Sequence, residues 1–220
     1  MKTLQPKLTG IRILPPIIIL ITIGIGLYFY PQMPEQMASH WNINGQADGY
    51  MSRFWGTFLL PIVNLVMYLL FLVIPYMDPK RQNIEKFRKY FDTFIALMLV
   101  FILYLYVMTI IWNLGTSFNF NQWITPPFAA LFYYTGILLE HAEMNWTIGI
   151  RTPWTLENPK IWDKTHKLGG ILFKASALIC LFGIILPGIT MWLVIIPVIG
   201  TAFFTMGYSY WLFLKEKRKN

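Results

Sequence analysis

Residues 55–77 read WGTFLLPIVNLVMYLLFLVIPYM and contain no charged side chain. A bilayer core about 30 Å thick needs roughly 20 apolar residues per helix, so this run is long enough to cross a membrane. Most of the remaining chain consists of similar apolar stretches, at 13–30, 93–114, 123–139, 168–187 and 191–214. With 56% hydrophobic and 13% charged residues, the composition excludes an ordinary water-soluble domain. The sequence therefore predicts an all-α membrane protein, a bundle of six transmembrane helices.

Basic residues are concentrated in four regions, at 2–12, 80–89, 151–167 and 215–219. Short loops rich in Lys and Arg remain in the cytoplasm, so this distribution predicts that both termini are cytoplasmic. The net charge of +8 then follows from topology and from attraction to anionic lipid headgroups. We therefore expect a multi-pass protein of the prokaryotic plasma membrane that contacts the lipid bilayer and does not bind nucleic acid directly.

The chain shows no linker or second soluble domain, so we predict a single polytopic membrane domain over residues 1–220. Within it, 13–90 forms an amino-terminal membrane region, and 123–214 forms a second region with a cytoplasmic hairpin over 140–167. The first apolar stretch exceeds the roughly 7 to 15 residues of a signal-peptide core, so we expect an uncleaved span. A single cysteine, Cys180, cannot form an intrachain disulfide.

The loop after the first span is the most polar of those predicted to lie outside the cell. Its candidate ligand-binding residues are His40, Trp41, Asn42, Gly45 and Asp48. The alternative is a compact structural cap held by aromatic side chains at the headgroup level. His40 and Asp48 are too few for a metal site, which usually takes three or four protein ligands, so we expect neither metal nor cofactor. An exposed histidine is also a candidate pH sensor, because it titrates nearest neutral pH.

The predicted cytoplasmic hairpin is polar and rich in turn residues, which membrane crossing does not require. Its candidate coupling residues are Glu140, Glu143, Asn145, Gly149, Arg151, Thr152, Pro153, Trp154, Trp162 and His166. The proline at 153 favours an extended residue before it, so we expect an ordered turn there. Asn158-Pro159 begins a helix that places Trp162 and His166 on one face, four residues apart. Trp146, Trp154 and Trp162 are expected to bury their rings at the membrane interface while their N–H groups remain in water.

Two cationic residues are singled out by their positions. Arg151 offers five donors in a fixed geometry, which can bind loop carbonyls or a carboxylate, and Glu140 and Glu143 are its candidate partners. A structural role within the hairpin and a role in binding a partner both remain open for it. Lys174 lies inside a predicted span, which makes it a functional hypothesis by default. Its alternative is to extend its ammonium group to the lipid headgroups.

Two groups of motifs resemble known families. The outer loop and the following span resemble a small membrane domain of unknown function found at the amino end of many bacterial and archaeal proteins. That resemblance is carried by Pro34, His40-Trp41-Asn42, Gly45, Asp48-Gly49-Tyr50 and Pro75-Tyr76-Met77-Asp78-Pro79. The later region contains a second motif, made of Asn145, Gly149-Ile150-Arg151-Thr152-Pro153-Trp154-Thr155-Leu156, Trp162, Thr165-His166-Lys167 and Gly169-Gly170. In these residues it is similar to the SdpI family of polytopic proteins.

The resemblance to the SdpI family implies protection of the cell from a secreted antimicrobial peptide toxin. It also implies a receptor that holds an ArsR-type repressor at the membrane. The outer loop would then meet the peptide, and the inner hairpin would couple to the cytoplasm. Neither motif is a catalytic signature, so we expect no enzyme.

Two other functions stay open at the level of sequence. The first is a small-solute or peptide transporter or channel, for which the candidate path residues are Asn64, Tyr104, Tyr106, Thr109 and Asn113. The second is a metal-dependent intramembrane hydrolase, which would use the segment from Glu140 to Glu143 with His141 and His166. The zinc-protease helix motif needs two histidines at spacing four around a glutamate, and this segment has one histidine.

Overall fold

The structure, a computed structural model, describes residues 10–116 and 118–218. Six long helices dominate it: α1 (Leu14–Phe29), α2 (Arg53–Met77), α4 (Arg88–Asn113), α6 (Thr125–His141), α8 (Pro159–Leu181) and α9 (Thr190–Lys217). Short helices lie in the connections: α3 (Arg81–Lys86), α5 (Phe120–Trp123) and α7 (Pro153–Glu157). Five segments of the described chain are long and apolar enough to cross a membrane, and they include every long helix except α6. Helix α6 has 17 residues.

The outer loop forms secondary structure that the sequence did not predict. Strands β1 (Gln36–Trp41) and β2 (Ala47–Ser52) pair in antiparallel orientation, with an irregular register on either side of His40. Met37 of β1 is fully buried and packs with Met33 and Tyr106. This β-hairpin therefore covers one end of the helix bundle, and the fold is helical with one small sheet.

The two ends of the bundle differ in charge. The β-hairpin end, as we name it, carries the β-hairpin, α5 and the turn between α8 and α9. The opposite end, the basic end, carries residues 78–88 and 142–158 together with the start of α1 and the end of α9. Most of the basic residues in the described chain lie there, whereas Arg53 lies at the β-hairpin end.

Helices α6 and α8 approach closely at two glycines. A Cβ atom at Gly136 would lie 2.6 Å from the carbonyl oxygen of Gly170, and one at Gly170 would lie 2.8 Å from the carbonyl oxygen of Gly136. Since any other residue would push the backbones apart, this pair fixes the crossing of the two helices. The close approach positions the 140–167 segment, which joins α6 to α8.

Candidate functional site

The tip of the β-hairpin is held by local and long-range hydrogen bonds. Asn42 Oδ1 accepts from the backbone N–H of Asn44 at 2.9 Å and from that of Gln46 at 3.1 Å. Asn121 of α5 donates through Nδ2 to the carbonyls of Asn42 at 3.2 Å and Ile43 at 2.7 Å. Asn42 therefore acts in building the turn.

Trp41 and Gly45, predicted to bind ligand, also lie in contacts within the protein. The Trp41 ring stacks on Phe120 with centroids 3.9 Å apart, and it meets Trp112 edge-on at 5.8 Å. Gly45 is buried, and a Cβ atom there would lie 2.8 Å from Asn119 Oδ1. These contacts fix the β-hairpin on the bundle and leave neither residue well placed to meet a ligand.

His40 and Asp48 are the two predicted outer-loop residues that remain accessible. Their side chains are paired, with His40 Nδ1 at 2.5 Å from Asp48 Oδ1. The His40 side chain is 70% exposed and that of Asp48 is 44% exposed. Tyr50, also exposed, lies on the neighbouring strand. The structure thus narrows the outer candidate site to an imidazole–carboxylate pair on the surface of the β-hairpin.

Asn113, at the end of α4, ties the β-hairpin to the bundle. Its Oδ1 accepts from the Ala38 N–H at 2.8 Å, and its Nδ2 donates to the Ala38 carbonyl at 3.0 Å. One amide therefore satisfies both backbone groups on the edge of β1, in the way a neighbouring strand would. Such edge groups otherwise remain unpaired.

We expect Asn113→Ala to loosen the β-hairpin, since it removes both bonds to Ala38 and leaves buried backbone groups unsatisfied. The loss is about 1–3 kcal/mol of local stability, because unsatisfied buried groups keep their desolvation penalty. Hydrogen exchange of residues 36–52, followed by mass spectrometry, measures it as faster exchange. Gln122→Ala is the control, since Gln122 bonds the Ile184 carbonyl at 2.9 Å at the same end without touching the β-hairpin. Unchanged exchange in the Asn113 variant contradicts this role.

Two of the other polar residues considered for a transport path, Asn64 and Tyr104, bond to neighbouring helices. Thr109 bonds within its own helix, and the buried Tyr106 hydroxyl has no hydrogen-bond partner in the described part of the chain. Asn64 Nδ2 donates to Thr22 Oγ1 at 3.3 Å and to the Leu99 carbonyl at 3.4 Å. The Tyr104 hydroxyl donates to the Trp123 carbonyl at 2.8 Å. Bonds of this kind hold helices together in an apolar surrounding. They give these side chains a structural explanation that requires no path.

Asn145 organises the 140–167 segment from its centre. It is fully buried, and its Nδ2 donates to the carbonyls of Glu143 at 2.8 Å and Ile148 at 2.9 Å. Its Oδ1 accepts from the backbone N–H groups of Thr147 at 2.9 Å and Ile148 at 2.6 Å. One side chain thus replaces the hydrogen bonds that the chain loses when it leaves α6.

Asp78, which the sequence did not single out as a site residue, joins the 140–167 segment to the end of α2. Its carboxylate accepts from the Trp146 N–H at 2.9 Å, from Thr147 Oγ1 at 2.7 Å and from the Lys80 N–H at 2.7 Å. The residue is 3% exposed. Sequence carries no direct signal for this contact, because the partners lie 68 and 69 positions away.

His166 and Trp162 lie on one face of α8, as predicted, and are stacked with ring centroids 3.9 Å apart. The backbone N–H of Ile150 can only donate, so the His166 Nε2 atom at 2.9 Å accepts from it. The ring proton is then on Nδ1, where it donates to the Trp162 carbonyl at 2.9 Å. The imidazole is therefore neutral, since both nitrogens are committed to opposite roles.

The tryptophans of this segment differ from one another. Trp162 is fully buried and its Nε1 donates to the Ala142 carbonyl at 2.7 Å, so the prediction of a water-exposed N–H was wrong for it. Trp162 lies in the first turns of α8, and the part of the segment that precedes α8 packs against this ring, which places it in the core. Trp154 is half-buried against Tyr210, at a centroid distance of 4.9 Å, and Trp146 is 51% exposed.

Arg151 does not pair with the carboxylates predicted for it. Its Nη1 donates to the Trp146 carbonyl at 2.8 Å. Glu140 instead binds Lys174, and Glu143 lies 3.9 Å from Lys86. The predicted carboxylate partners were wrong because the turn at 145–150 brings a carbonyl to the guanidinium. Arg151 remains exposed, so its other donors are available.

Thr152 and Pro153 begin the short helix α7. The Thr152 side chain accepts from the Thr155 N–H at 3.2 Å, and the Thr155 hydroxyl accepts from the Thr152 N–H at 2.9 Å. This reciprocal pair is a capping box, and Pro153 occupies the first helical position, where its missing N–H costs nothing. Thr152 Oγ1 also lies 3.0 Å from Ser209 Oγ, which fastens the segment to α9.

Lys174 forms an ion pair between α8 and α6. Its Nζ lies 2.6 Å from Glu140 Oε2, and the two side chains are 27% and 28% exposed. The ammonium also lies 6.0 Å from the centroid of the Tyr133 ring. A carboxylate on the neighbouring helix therefore neutralises Lys174, and the extension of its ammonium group to the lipid headgroups stays a prediction.

A second group of charges at the basic end was missed by sequence analysis. Asp92 of α4 accepts from Arg12 Nε through one oxygen and from Arg88 Nε through the other, each at 2.6 Å. Only 6% of the Asp92 side chain is exposed. The spacing of four between Arg88 and Asp92 is a usable signal for one of these pairs. The other joins residues 80 positions apart, which sequence spacing does not reveal.

Metal ligands are not brought together in the described part of the chain. Over residues 10–116 and 118–218, no three His, Cys, Asp or Glu side chains are grouped so as to hold an ion. His141 stacks on Tyr90 at 3.7 Å and its Nδ1 contacts the Ile137 carbonyl, while His166 is bonded to Ile150. The geometry therefore offers no support for a metal-dependent hydrolase.

Comparison with known proteins agrees with the motifs of the sequence. Residues 141–209 match the SdpI/YfhL protein family, and residues 17–65 match the Domain of unknown function (DUF1648). The chain is 26% identical to the Immunity protein SdpI of Bacillus subtilis (strain 168) over 171 residues, which is 78% of each chain. No solved structure matches.

The apolar helices and these matches define a multi-pass protein of the cell membrane. Within that class, the matches support an assignment to the SdpI family. The family match covers almost all of the 140–167 segment, α8 and much of α9, which is the region that Asn145, His166 and Trp162 organise.

Proposed function

We propose that this chain is an SdpI-like membrane immunity or signal-relay protein, which protects its cell against a secreted antimicrobial peptide toxin. The observation that carries the proposal is the similarity to an immunity protein across 78% of both chains. The two family matches, at residues 17–65 and 141–209, take in both polar regions that the fold builds outside the apolar helices, apart from residue 140. The relative is an immunity protein by name, and the same role is inferred for this chain.

We propose that all six long helices cross the membrane, with the basic end and both termini in the cytoplasm. Helix α6 has 17 residues, and at 1.5 Å per residue it spans roughly 25 Å, close to the thickness of a bilayer core. Its neighbours α4 and α8 are of spanning length, and α6 packs between them. With α6 the chain crosses six times, an even number, so both termini lie on the same side of the membrane. The concentration of Lys and Arg at one end supports the orientation.

The β-hairpin then lies outside the cell, where it would meet an arriving peptide. His40 and Asp48 are the predicted site residues that it exposes. With Nδ1 bonded to the carboxylate, the pair offers a peptide the His40 Nε2 atom and the second Asp48 oxygen, both of which accept hydrogen bonds while the imidazole is neutral. The 140–167 segment lies inside, where exposed Arg151 and Trp146 would form the surface that engages a cytoplasmic partner such as an ArsR-type repressor.

The test is survival of toxin-sensitive cells. A Bacillus subtilis strain lacking its Immunity protein SdpI is complemented with this chain and challenged with the peptide against which that protein gives immunity. We expect protection, and we expect His40→Ala to raise sensitivity roughly fivefold, the scale of one lost hydrogen bond at a binding surface. If the 140–167 segment only signals to the cytoplasm, Arg151→Ala leaves protection intact. If protection itself depends on that signalling, the variant protects less well.

Control variants distinguish the loss of a binding site from a lower amount of protein in the membrane. Gln46→Ala changes an exposed side chain on the same β-hairpin, and Lys160→Ala removes a different exposed charge of the 140–167 segment. Membrane levels of each variant are compared by immunoblot. If the chain reaches the membrane and protects against none of a panel of secreted membrane-active peptides, the immunity proposal is wrong. If the chain protects and the His40→Ala variant protects as well as wild type does, the proposal for the outer site is wrong while the immunity proposal stands.

A further inference from the structure

Helix α9 carries an open groove on the face turned away from the bundle. Its volume is about 640 Å³, and it is lined by Gly200, Phe203, Phe204, Gly207, Tyr208 and Trp211. A Cβ atom at either glycine would meet nothing within 4 Å, so the glycines form the floor of the groove. The aromatic rings form its walls, and three of them are more than half exposed. The groove therefore faces the apolar part of the bilayer.

The groove runs toward positive charge. From Gly200 to Trp211 it extends roughly 16 Å along the helix, at 1.5 Å per residue. Lys215 lies four positions beyond Trp211, and its Nζ is 5.0 Å from the centroid of the Trp211 ring. Arg218 follows on the same side of the helix, and both are exposed. Glu216 is turned about 100° away, and no carboxylate of the described chain lies within ion-pair distance of Lys215.

We propose that this groove binds an anionic phospholipid, with an acyl chain along the glycine floor and the phosphate group at Lys215 and Arg218. An acyl chain fits because the lining is apolar and the groove lies within a spanning helix. A negative headgroup fits because the mouth carries two cations, and basic side chains at the membrane surface attract anionic lipids. The inference stands independently of the immunity proposal.

A second copy of the chain is a poorer occupant for the same face. Two copies in one membrane have the same orientation, so a symmetric contact through α9 is parallel. It places Lys215 and Arg218 of one copy beside those of the other. Like charges in such a position repel each other, whereas an anionic lipid neutralises them.

The experiment titrates the purified full-length chain in detergent with phosphatidylglycerol or phosphatidylcholine of identical acyl chains, and counts bound lipid by native mass spectrometry. We expect wild type to retain phosphatidylglycerol more tightly. Lys215→Gln should weaken that retention about fivefold, the scale of one surface cation, and should leave phosphatidylcholine unaffected. Gly207→Leu should weaken retention of both lipids, because the new side chain fills the floor without meeting other atoms.

Two variants serve as matched controls. Lys217→Gln removes the same charge from the opposite side of α9, and Gly24→Leu adds the same side chain at an exposed, open glycine of α1. Both should bind phosphatidylglycerol like wild type. Equal retention of the two lipids by wild type overturns the headgroup assignment, and so does an equal loss in Lys217→Gln. A wild-type dimer that Gly207→Leu converts to a monomer shows that the face binds a second copy, which overturns the proposal.

Discussion

Gly149→Ala should abolish the stable fold of the 140–167 segment and lower the stability of the whole protein. Gly149 has a φ of +123°, a backbone conformation that side chains with a Cβ atom rarely adopt. A Cβ atom there would also overlap His166 Nε2, and it would lie 3.2 Å from the Trp162 ring. The substitution therefore strains the backbone and displaces a buried ring at the same time.

The displaced ring makes the effect large. His166 holds the segment through its bond from the Ile150 N–H, and it is stacked on Trp162. If the imidazole moves, a backbone N–H and a ring nitrogen lose their partners in a buried place. Backbone strain of about 1–3 kcal/mol and a similar cost for unsatisfied groups give a loss of roughly 2–6 kcal/mol.

Thermal unfolding in detergent, followed by the fraction of protein that remains monodisperse on size-exclusion chromatography, measures this loss. Gly200→Ala is the matched control, since it makes the same change at a helical glycine whose surroundings are open. The control should be as stable as wild type or up to about 1 kcal/mol more stable, because alanine favours helix. If Gly149→Ala unfolds at the same temperature as Gly200→Ala, the segment tolerates a side chain at position 149 and His166 is not its anchor.

The helices were accessible from the sequence because each depends on a local property. Apolar runs longer than a bilayer core predict spanning helices, and Asn158-Pro159 predicts a helix start. The structure confirms this start: Asn158 Oδ1 accepts from the Lys160 N–H at 2.9 Å, and Pro159 is the first helical residue. The spacing of Trp162 and His166 likewise predicted their shared face. In each case the signal and its cause lie within a few residues.

The β-hairpin and the polar contacts were not accessible because their causes lie far along the chain. Strand β1 reads QMASHW, without the alternation of a half-buried strand, and its edge is completed by an amide 75 positions away. The Arg151 prediction failed for a related reason. A guanidinium was expected to find a carboxylate, but the fold of the segment, set by Asn145 and Asp78, presents a carbonyl first.

Asp92→Ala should destabilise the basic end about as strongly as Gly149→Ala destabilises the 140–167 segment. Asp92 accepts one short bond from Arg12 and one from Arg88, and so joins the start of α1 to the start of α4. The two guanidinium groups lie on a single carboxylate, with 19% and 14% of their side chains exposed. Removing the carboxylate leaves the two positive charges close together in an environment from which water is largely excluded. Breaking a buried pair in this way costs about 3–5 kcal/mol, because the uncompensated charge remains.

The control for this prediction lies on the same arginine. Glu85 also pairs with Arg88, at 3.3 Å, but 44% of its side chain is exposed. Glu85→Ala should therefore change stability by less than about 1 kcal/mol, as is usual for exposed ion pairs. Unfolding is compared in detergent at low and high salt. Added salt should restore little to the Asp92 variant, since buried charges are weakly screened. Equal effects of the two substitutions, or recovery of the Asp92 variant in salt, would show that the contact is a surface pair and that α1 is held by apolar packing alone.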